Sequence, residues 1–152
     1  MTIHQVPKNF NPEAEPNWVR LIRMFITGEY PDTYLGKRFE GPTRGRIMVD
    51  RFVPHGEHII HHELADLPGW EINGPDPGFW EVYRMKQRIP VRFKYKENGS
   101  TFNLLAVQQD SHAYEGWDGH WAVLLQERIS PHDRSYKVLV HGLMSHDGVI
   151  MV

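Results

Sequence analysis

The stretch around Asn98-Gly99 constrains the fold more than any other part of the chain. On both sides of this dipeptide, apolar residues recur at every second position, the pattern of a β-strand with one buried face. An Asn-Gly dipeptide readily supplies the two positive-φ residues that a tight turn between antiparallel strands needs. The sequence therefore predicts a β-hairpin whose apolar positions are Ile89, Val91, Phe93 and Tyr95 on one arm and Phe102, Leu104 and Ala106 on the other.

Similar alternation predicts a second hairpin between residues 121 and 140, with its turn at 130–133. The apolar positions are Trp121, Val123 and Leu125 on one arm and Tyr136, Val138 and Val140 on the other. Shorter strands are expected at 46–53, 79–85 and 148–152. Several short strands joined by turns predict a mainly β fold of the α+β class, built as an antiparallel β-barrel or β-sandwich.

Two segments have the character of helices. Near the N-terminus, apolar residues recur at helical spacing at Trp18, Leu21, Ile22 and Phe25. Pro16 suits the first turn of this amphipathic helix and Gly28 suits its end. The segment 58–67 is ambiguous, but its apolar stripe stops at a Pro-Gly pair, which favours a short helix.

Composition narrows the class of protein further. The chain has 152 residues and no cysteine, which fits one domain spanning 1–152 without disulfides or thiolate metal ligands. No apolar run is long enough to cross a bilayer, and the first residues do not resemble a secretory leader. The sequence therefore predicts a soluble, cytoplasmic domain with no membrane partner.

The ten histidines are the unusual entry in the composition, and they concentrate in residues 55–63, which read HGEHIIHHE. On a helix, His58 and His62 would share one face and could ligate a divalent metal such as zinc. The segment lacks the His-Glu-x-x-His motif of metallohydrolases, because Asp66 stands where the second histidine belongs. A solvated polar flank is the alternative interpretation.

A second cluster lies in residues 110–121, which read DSHAYEGWDGHW. Its glycines predict a loop, and its ionisable residues are of the types that perform acid–base catalysis. The candidate catalytic residues are His112, Glu115, Asp118 and His120, and Tyr114 and Trp117 are candidate ligand-binding residues. Alternatively, Trp117 folds back and packs on the core.

The third feature is a concentration of positive charge in residues 84–97. This segment has a net charge of +5, which leaves −7 for the rest of a chain whose total is −2. Arg92, Lys94 and Lys96 would share one strand face and could bind a polyanion. The alternative is that these side chains protect an exposed edge strand from pairing with other chains.

Three functions therefore remain open. The leading one is a small-molecule site, enzymatic or not, that uses histidine and carboxylate for acid–base or metal-assisted chemistry. The second is a module that binds nucleic acid or another polyanion through residues 84–96. The third is a non-catalytic component of an assembly, such as a homo-oligomer. Phosphate-binding loops, dinucleotide fingerprints and serine-hydrolase elbows are absent from the sequence.

Overall fold

The computed structural model of the chain describes residues 4–6, 17–29, 39, 41–70, 80–84, 90–106, 117–125 and 134–152. Its strands are β1 (His4–Val6), β2 (Arg44–Val49), β3 (Trp80–Arg84), β4 (Pro90–Tyr95), β5 (Thr101–Ala106), β6 (Trp121–Leu124) and β7 (Val149–Met151). Its two α-helices are α1 (Asn17–Thr27) and α2 (Arg134–Met144). After β2 the chain forms wide π-helical turns at Phe52–Gly56 and Ile59–Glu63 and a 3-10 turn at Leu64–Asp66.

All seven strands belong to one sheet, in the order β1-β7-β6-β2-β5-β4-β3. The neighbouring pairs β1–β7, β7–β6, β6–β2 and β2–β5 are parallel, whereas β4 is antiparallel to both β5 and β3. This mixed sheet with two helices fits the α+β class. The expectation of an antiparallel barrel or sandwich is wrong, because the described strands form a single open sheet with β1 and β3 at its two edges.

The central strands are apolar on both faces. In β6 and β7 every residue is buried, and in β2 every residue after Arg44 is buried. Parallel strands lie between helices on both sides of a sheet, so they form continuous apolar runs rather than an alternating pattern. The strand expected at 46–53 ends earlier than predicted, at Val49, and the chain is helical from Phe52.

One face of the sheet is covered by α1 and the helical segment that follows β2. The predicted stripe of α1 is buried, and Trp18 and Phe25 lie in the same core as Phe102 and Trp121 of the sheet. The helix ends as expected at Gly28, which has a φ of 77° and donates its N–H to the carbonyl of Met24 at 2.8 Å. The short helix favoured within 58–67 is part of the observed helical segment, which ends at Asp66.

The opposite face is covered by α2, and here the second predicted hairpin is wrong. Residues expected to form its returning arm are helical, and they lead into β7, which is parallel to β6. Leu139 and Leu143 of α2 are buried against Met48, Leu124 and Ile150 of the sheet. The unit β6–α2–β7 is therefore a parallel crossover through a helix.

Strands β4 and β5 pair antiparallel around the Asn98-Gly99 turn, with Phe93 opposite Phe102. Gly99 has a φ of 84°, and the side-chain oxygen of Asn98 accepts a hydrogen bond from the N–H of Ser100 at 2.8 Å. Lys96 lies in this turn rather than in β4, because the strand ends at Tyr95.

Candidate functional site

Five polar residues meet at the edge of the sheet where three parallel strands begin. Arg44 is the first residue of β2, Asp118 and His120 precede β6, and Ser145 and His146 lie between α2 and β7. Since β2, β6 and β7 are parallel, their amino ends lie at the same edge. We refer to these five residues as the amino-edge cluster.

The carboxylate of Asp118 is the centre of the cluster. Its Oδ1 accepts a hydrogen bond from the hydroxyl of Ser145 at 2.7 Å and lies 2.8 Å from Nε2 of His146. Its Oδ2 lies 3.6 Å from the guanidinium of Arg44. The hydrogen bond from Ser145 lowers the pKa of Asp118 against the opposing effect of partial burial, and the charge of Arg44, with that of His146 when its ring is protonated, lowers it further. Asp118 is therefore an ionised acceptor at neutral pH.

His146 is oriented by this carboxylate. An ionised carboxylate is an acceptor only, so the 2.8 Å contact requires that Nε2 of His146 carries a proton and donates it to Asp118. In the neutral ring, Nδ1 then holds the lone pair. Across the described residues no hydrogen bond reaches Nδ1 of His146, and the side chain is 29% exposed. His146 can therefore accept a proton from a bound molecule.

His120 is stacked on His146 and makes a hydrogen bond of its own. The two ring centroids are 4.2 Å apart, with 24° between the planes. Nδ1 of His120 accepts the backbone N–H of Arg44 at 3.0 Å, so the proton of the neutral ring lies on Nε2. Burial lowers the pKa of His120 to about 4, helped by the charge of Arg44 and by that of His146 when its ring is protonated. At neutral pH His120 is an uncharged donor through Nε2.

Backbone contacts hold the cluster in place. The N–H of His120 donates to the carbonyl of Arg44 at 2.8 Å, and the carbonyl of His120 accepts the N–H of Val149 at 2.9 Å. A Cβ on Gly148 would lie 2.8 Å from that same carbonyl, so only glycine fits there without displacement. The turn after α2 is closed by the N–H of Gly148, which donates to Leu143 at 3.0 Å.

The direction of the hydrogen bond from Ser145 limits the chemistry. In a nucleophilic triad the hydroxyl gives its proton to the imidazole, whereas here the hydroxyl of Ser145 donates to the carboxylate of Asp118. Ser145 therefore orients Asp118. The groups of the cluster that can act on a bound molecule are the imidazole of His146, the Nε2–H of His120 and the guanidinium of Arg44, which is half-exposed.

No family model, curated protein or solved structure matches this chain, so the site is interpreted from its own chemistry. Among the residues that the structure describes, no three histidine or carboxylate side chains are grouped so that they could hold a metal ion. Nor does the described part of the chain contain a helix that is long and apolar enough to span a membrane. Met144 is the only large apolar side chain exposed in the described ranges.

Of the predicted catalytic residues, Asp118 and His120 both lie in the amino-edge cluster. His112 and Glu115 lie outside the described residues, as does the predicted ligand-binding residue Tyr114. Sequence reasoning missed His146, which is the imidazole in direct contact with Asp118.

Arg44 and Ser145 were missed as well. The available signal was the polar run 145–148 immediately before the last apolar strand. This run indicates site residues only when β6 and β7 are known to be parallel neighbours, because only then do residues 118 and 146 lie at the same edge of the sheet.

Trp117 is packed between the sheet and α2. Cβ atoms built on Gly119 and Gly142 would lie 2.0 Å and 2.7 Å from its indole ring, so both glycines allow a close approach. The guanidinium of Arg46 lies 4.7 Å from the ring centroid, at the distance of a cation–π contact. Trp117 is therefore partly buried against the apolar cluster between α2 and the sheet.

The predicted basic residues Arg92 and Lys94 lie on one face of β4, opposite the buried Phe93 and Tyr95. The interpretation that they protect an edge strand is wrong, because β4 lies between β3 and β5. Lys96 is exposed in the following turn.

The two predicted metal ligands lie side by side. The rings of His58 and His62 have centroids 4.8 Å apart at 36°, and both side chains are exposed. This spacing is compatible with two nitrogen ligands on one ion, the remaining positions being taken by water.

A second histidine–carboxylate contact occurs where β2 ends, but it is looser. Nδ1 of His55 lies 3.9 Å from the carboxylate of Asp50 and 3.4 Å from its backbone N. These distances exceed those of a charge-assisted hydrogen bond. The amino-edge cluster is therefore the better-formed of the two.

Proposed function

We propose that this chain binds an anionic molecule at the amino-edge cluster and transfers protons to or from it. The observation that carries this proposal is the contact of 2.8 Å between Asp118 and His146, with His146 stacked on an uncharged His120. An imidazole oriented by a carboxylate, beside a second imidazole that is uncharged at neutral pH, is an arrangement suited to general acid–base chemistry.

Each residue has a distinct role in the proposal. His146 accepts a proton from the bound molecule through Nδ1, and Asp118 stabilises the imidazolium that results. His120 donates a hydrogen bond from Nε2 to an oxygen of the molecule, since an uncharged imidazole can polarise such an oxygen without losing its proton. Arg44 and Ser145 act through Asp118, and the outward N–H groups of Arg44 attract the anion.

An anion is favoured because the outward-facing groups are donors. The guanidinium of Arg44 is 53% exposed and the Nε2–H of His120 has no acceptor among the described residues, whereas the carboxylate of Asp118 is occupied by Ser145 and His146. Metal-assisted chemistry at His58 and His62 is a separate proposal, because no contact among the described residues connects that pair with the cluster.

The first test follows all histidine rings by NMR during a titration with inorganic phosphate. We expect the ring resonances of His120 and His146 to shift together, while those of the exposed His141 on α2 stay unchanged. Arg44→Gln should remove the effect. Equal shifts at His141, or no shift at the cluster, would contradict the proposed anion site.

The second test measures the nucleophilicity of His146 by carbethoxylation with diethyl pyrocarbonate, followed by peptide mass spectrometry. We expect His146 to react faster than His141, and Asp118→Asn to remove this difference because the ring loses the acceptor that fixes its tautomer. Asp50→Asn is the matched control and should leave His146 unchanged. An unaltered rate in Asp118→Asn would refute the role of the pair.

A further inference from the structure

Basic side chains from two different strands lie on the same face of the sheet. The register pairs Arg44 with Thr101 and Thr101 with Lys94, which makes one row across β2, β5 and β4. The next row contains Arg46, Asn103 and Arg92 in the same way. Residues directly opposite one another in a sheet point to the same side, so both rows lie on the face that α2 partly covers.

The rows join two regions that are distant in sequence. Adjacent strands are about 4.8 Å apart, so the backbones of β2 and β4 are separated by about 10 Å. Between them β5 contributes the hydroxyl of Thr101 and the amide of Asn103, both of which are half-buried and neutral. The positive charge of β4 therefore extends across β5 to Arg44, which belongs to the amino-edge cluster.

The part of this face over β5 and β4 is accessible in the described structure. Helix α2 packs on β6 and β7 through Leu139 and Leu143, with Met48 of β2 at the margin of that contact. Beyond this margin Arg92 is exposed, and Lys94, Thr101 and Asn103 are half-exposed. The result is a shallow surface bounded on one side by α2.

Acidic groups limit the positive surface at its two ends. Glu81 of β3 lies opposite Lys94 and is exposed, and Asp118 lies beside Arg44. The positive charge is therefore concentrated over β5 and β4. The aromatic residues Phe93, Tyr95 and Phe102 point to the other face of the sheet, where they are buried in the core.

We propose that this surface binds the phosphodiester backbone of a single-stranded nucleic acid and that the amino-edge cluster exchanges protons with that same strand. The inference rests on the proposed function, because it names the substrate class of the same site. Charge complementarity favours a polyanion with regularly spaced phosphates. A single strand is favoured over a duplex because the surface is bounded on one side by α2 and its described residues include no element that could enter a groove. Binding should be independent of base sequence.

The test measures fluorescence anisotropy with a labelled oligouridylate of about a dozen nucleotides, and with the matching oligothymidylate, at about 50 to 200 mM salt. We expect both oligonucleotides to bind and their affinity to fall steeply with salt. Lys94→Gln should weaken binding and Lys94→Glu should weaken it further. Each lost phosphate contact should lower the slope of log affinity against log salt by about 1.

Two controls make the result specific. Lys137 is exposed on α2, so Lys137→Glu makes the same change of charge away from the surface and should leave binding unchanged. Bound oligonucleotide should also protect His146 from carbethoxylation. If neither oligonucleotide binds at about 50 mM salt, if only heparin binds, or if Lys137→Glu acts like Lys94→Glu, the nucleic-acid proposal is overturned.

The two proposals can fail separately. If the oligonucleotides bind without protecting His146, a strand on the surface does not reach the amino-edge cluster. This result would overturn the inference and would leave the proposed acid–base role of His146 and Asp118 intact. If Asp118→Asn leaves the reactivity of His146 unchanged while the oligonucleotides still bind, the proposed function fails instead. Preference for the ribose or the deoxyribose strand identifies which of the two is the substrate.

Discussion

The backbone N–H of Arg44 donates a hydrogen bond of 3.0 Å to Nδ1 of His120, and this contact determines the tautomer of the ring. We predict that His120 carries its proton on Nε2 at neutral pH. Nitrogen-15 chemical shifts of the ring should show one protonated and one unprotonated nitrogen down to about pH 5, since the pKa of His120 is lowered to about 4. A ring that titrates near pH 6.5 would contradict this.

The same residue should make folding stability depend on pH. Burial lowers the pKa of His120 from 6.5 to about 4, so between these values the unfolded chain binds more protons than the folded one. The stabilisation is complete above about pH 6.5 and is lost as the pH falls towards 4. Because the ring is only half-buried, we expect a loss of about 1–2 kcal/mol.

Urea unfolding at several pH values measures this loss. His120→Asn is the informative variant, since an amide oxygen can still accept the N–H of Arg44 but does not titrate. The free energy of unfolding of the variant should fall less than that of the native chain between about pH 7 and pH 4. Parallel curves would show that His120 is not responsible.

A third prediction concerns the hydroxyl of Ser145. Its hydrogen bond is the largest influence that lowers the pKa of Asp118. Ser145→Ala should therefore raise that pKa, as measured by the carbon-13 shift of the carboxyl group. Ser100→Ala is the control: the hydroxyl of this buried serine accepts the N–H of Thr43 and makes no contact with Asp118, so its loss should leave the pKa of Asp118 unchanged.

The sequence predicted the elements whose periodicity was unambiguous. Helix α1 was identifiable because its stripe, its proline and its terminal glycine agree. The antiparallel pair β4–β5 was identifiable because one face is in the core and the other is polar. Where both faces of a strand are buried, the alternation of apolar and polar residues carries no information. For that reason Trp121–Leu124, in which every residue is buried, was assigned to an antiparallel hairpin instead of a parallel pair.

The error at α2 has a specific cause. Tyr136, Val138 and Val140 satisfy a strand pattern, but Tyr136, Leu139, Val140 and Leu143 equally satisfy a helical one. The β-branched valines favoured the strand. In the structure, Leu139 and Leu143 are buried on Ala122, Leu124 and Ile150, and this packing decides in favour of the helix.

Two of the five residues of the amino-edge cluster were predictable from the sequence, and three were not. Asp118 and His120 are two residues apart, so a local cluster identified them. His146 is 28 positions from Asp118 and joins it only because β7 lies parallel beside β6. With an antiparallel hairpin in that place, the two residues could not have been expected at one edge of the sheet.

A fourth prediction concerns the exposed pair His58 and His62. Nickel or copper ions should raise the melting temperature, because an ion that binds only the folded chain stabilises it by mass action. His58→Asn and His62→Asn should each abolish the shift. His61→Asn removes a neighbouring exposed histidine and should preserve most of it. A shift that survives both single variants would place the metal elsewhere.

The last prediction concerns Gly45, which lies opposite Trp121 in the register of β2 and β6. A Cβ at position 45 would be 2.0 Å from Cε2 and 2.2 Å from Cζ2 of the indole, which is fully buried. Gly45→Ala must therefore displace the ring. Overpacking of a core commonly costs about 1–3 kcal/mol, and we expect the upper part of that range because the ring has no free space.

The displacement should also separate α1 from the sheet. Nε1 of Trp121 donates to the hydroxyl of Thr43 at 3.3 Å, and that hydroxyl donates to the carbonyl of Phe25 in α1 at 3.1 Å.

A double-mutant cycle of Gly45→Ala with Trp121→Phe measures the coupling between these two positions. Gly45→Ala should cost less free energy of unfolding beside the smaller ring than beside tryptophan. An equal cost in both backgrounds would mean that the indole is not what requires glycine at position 45.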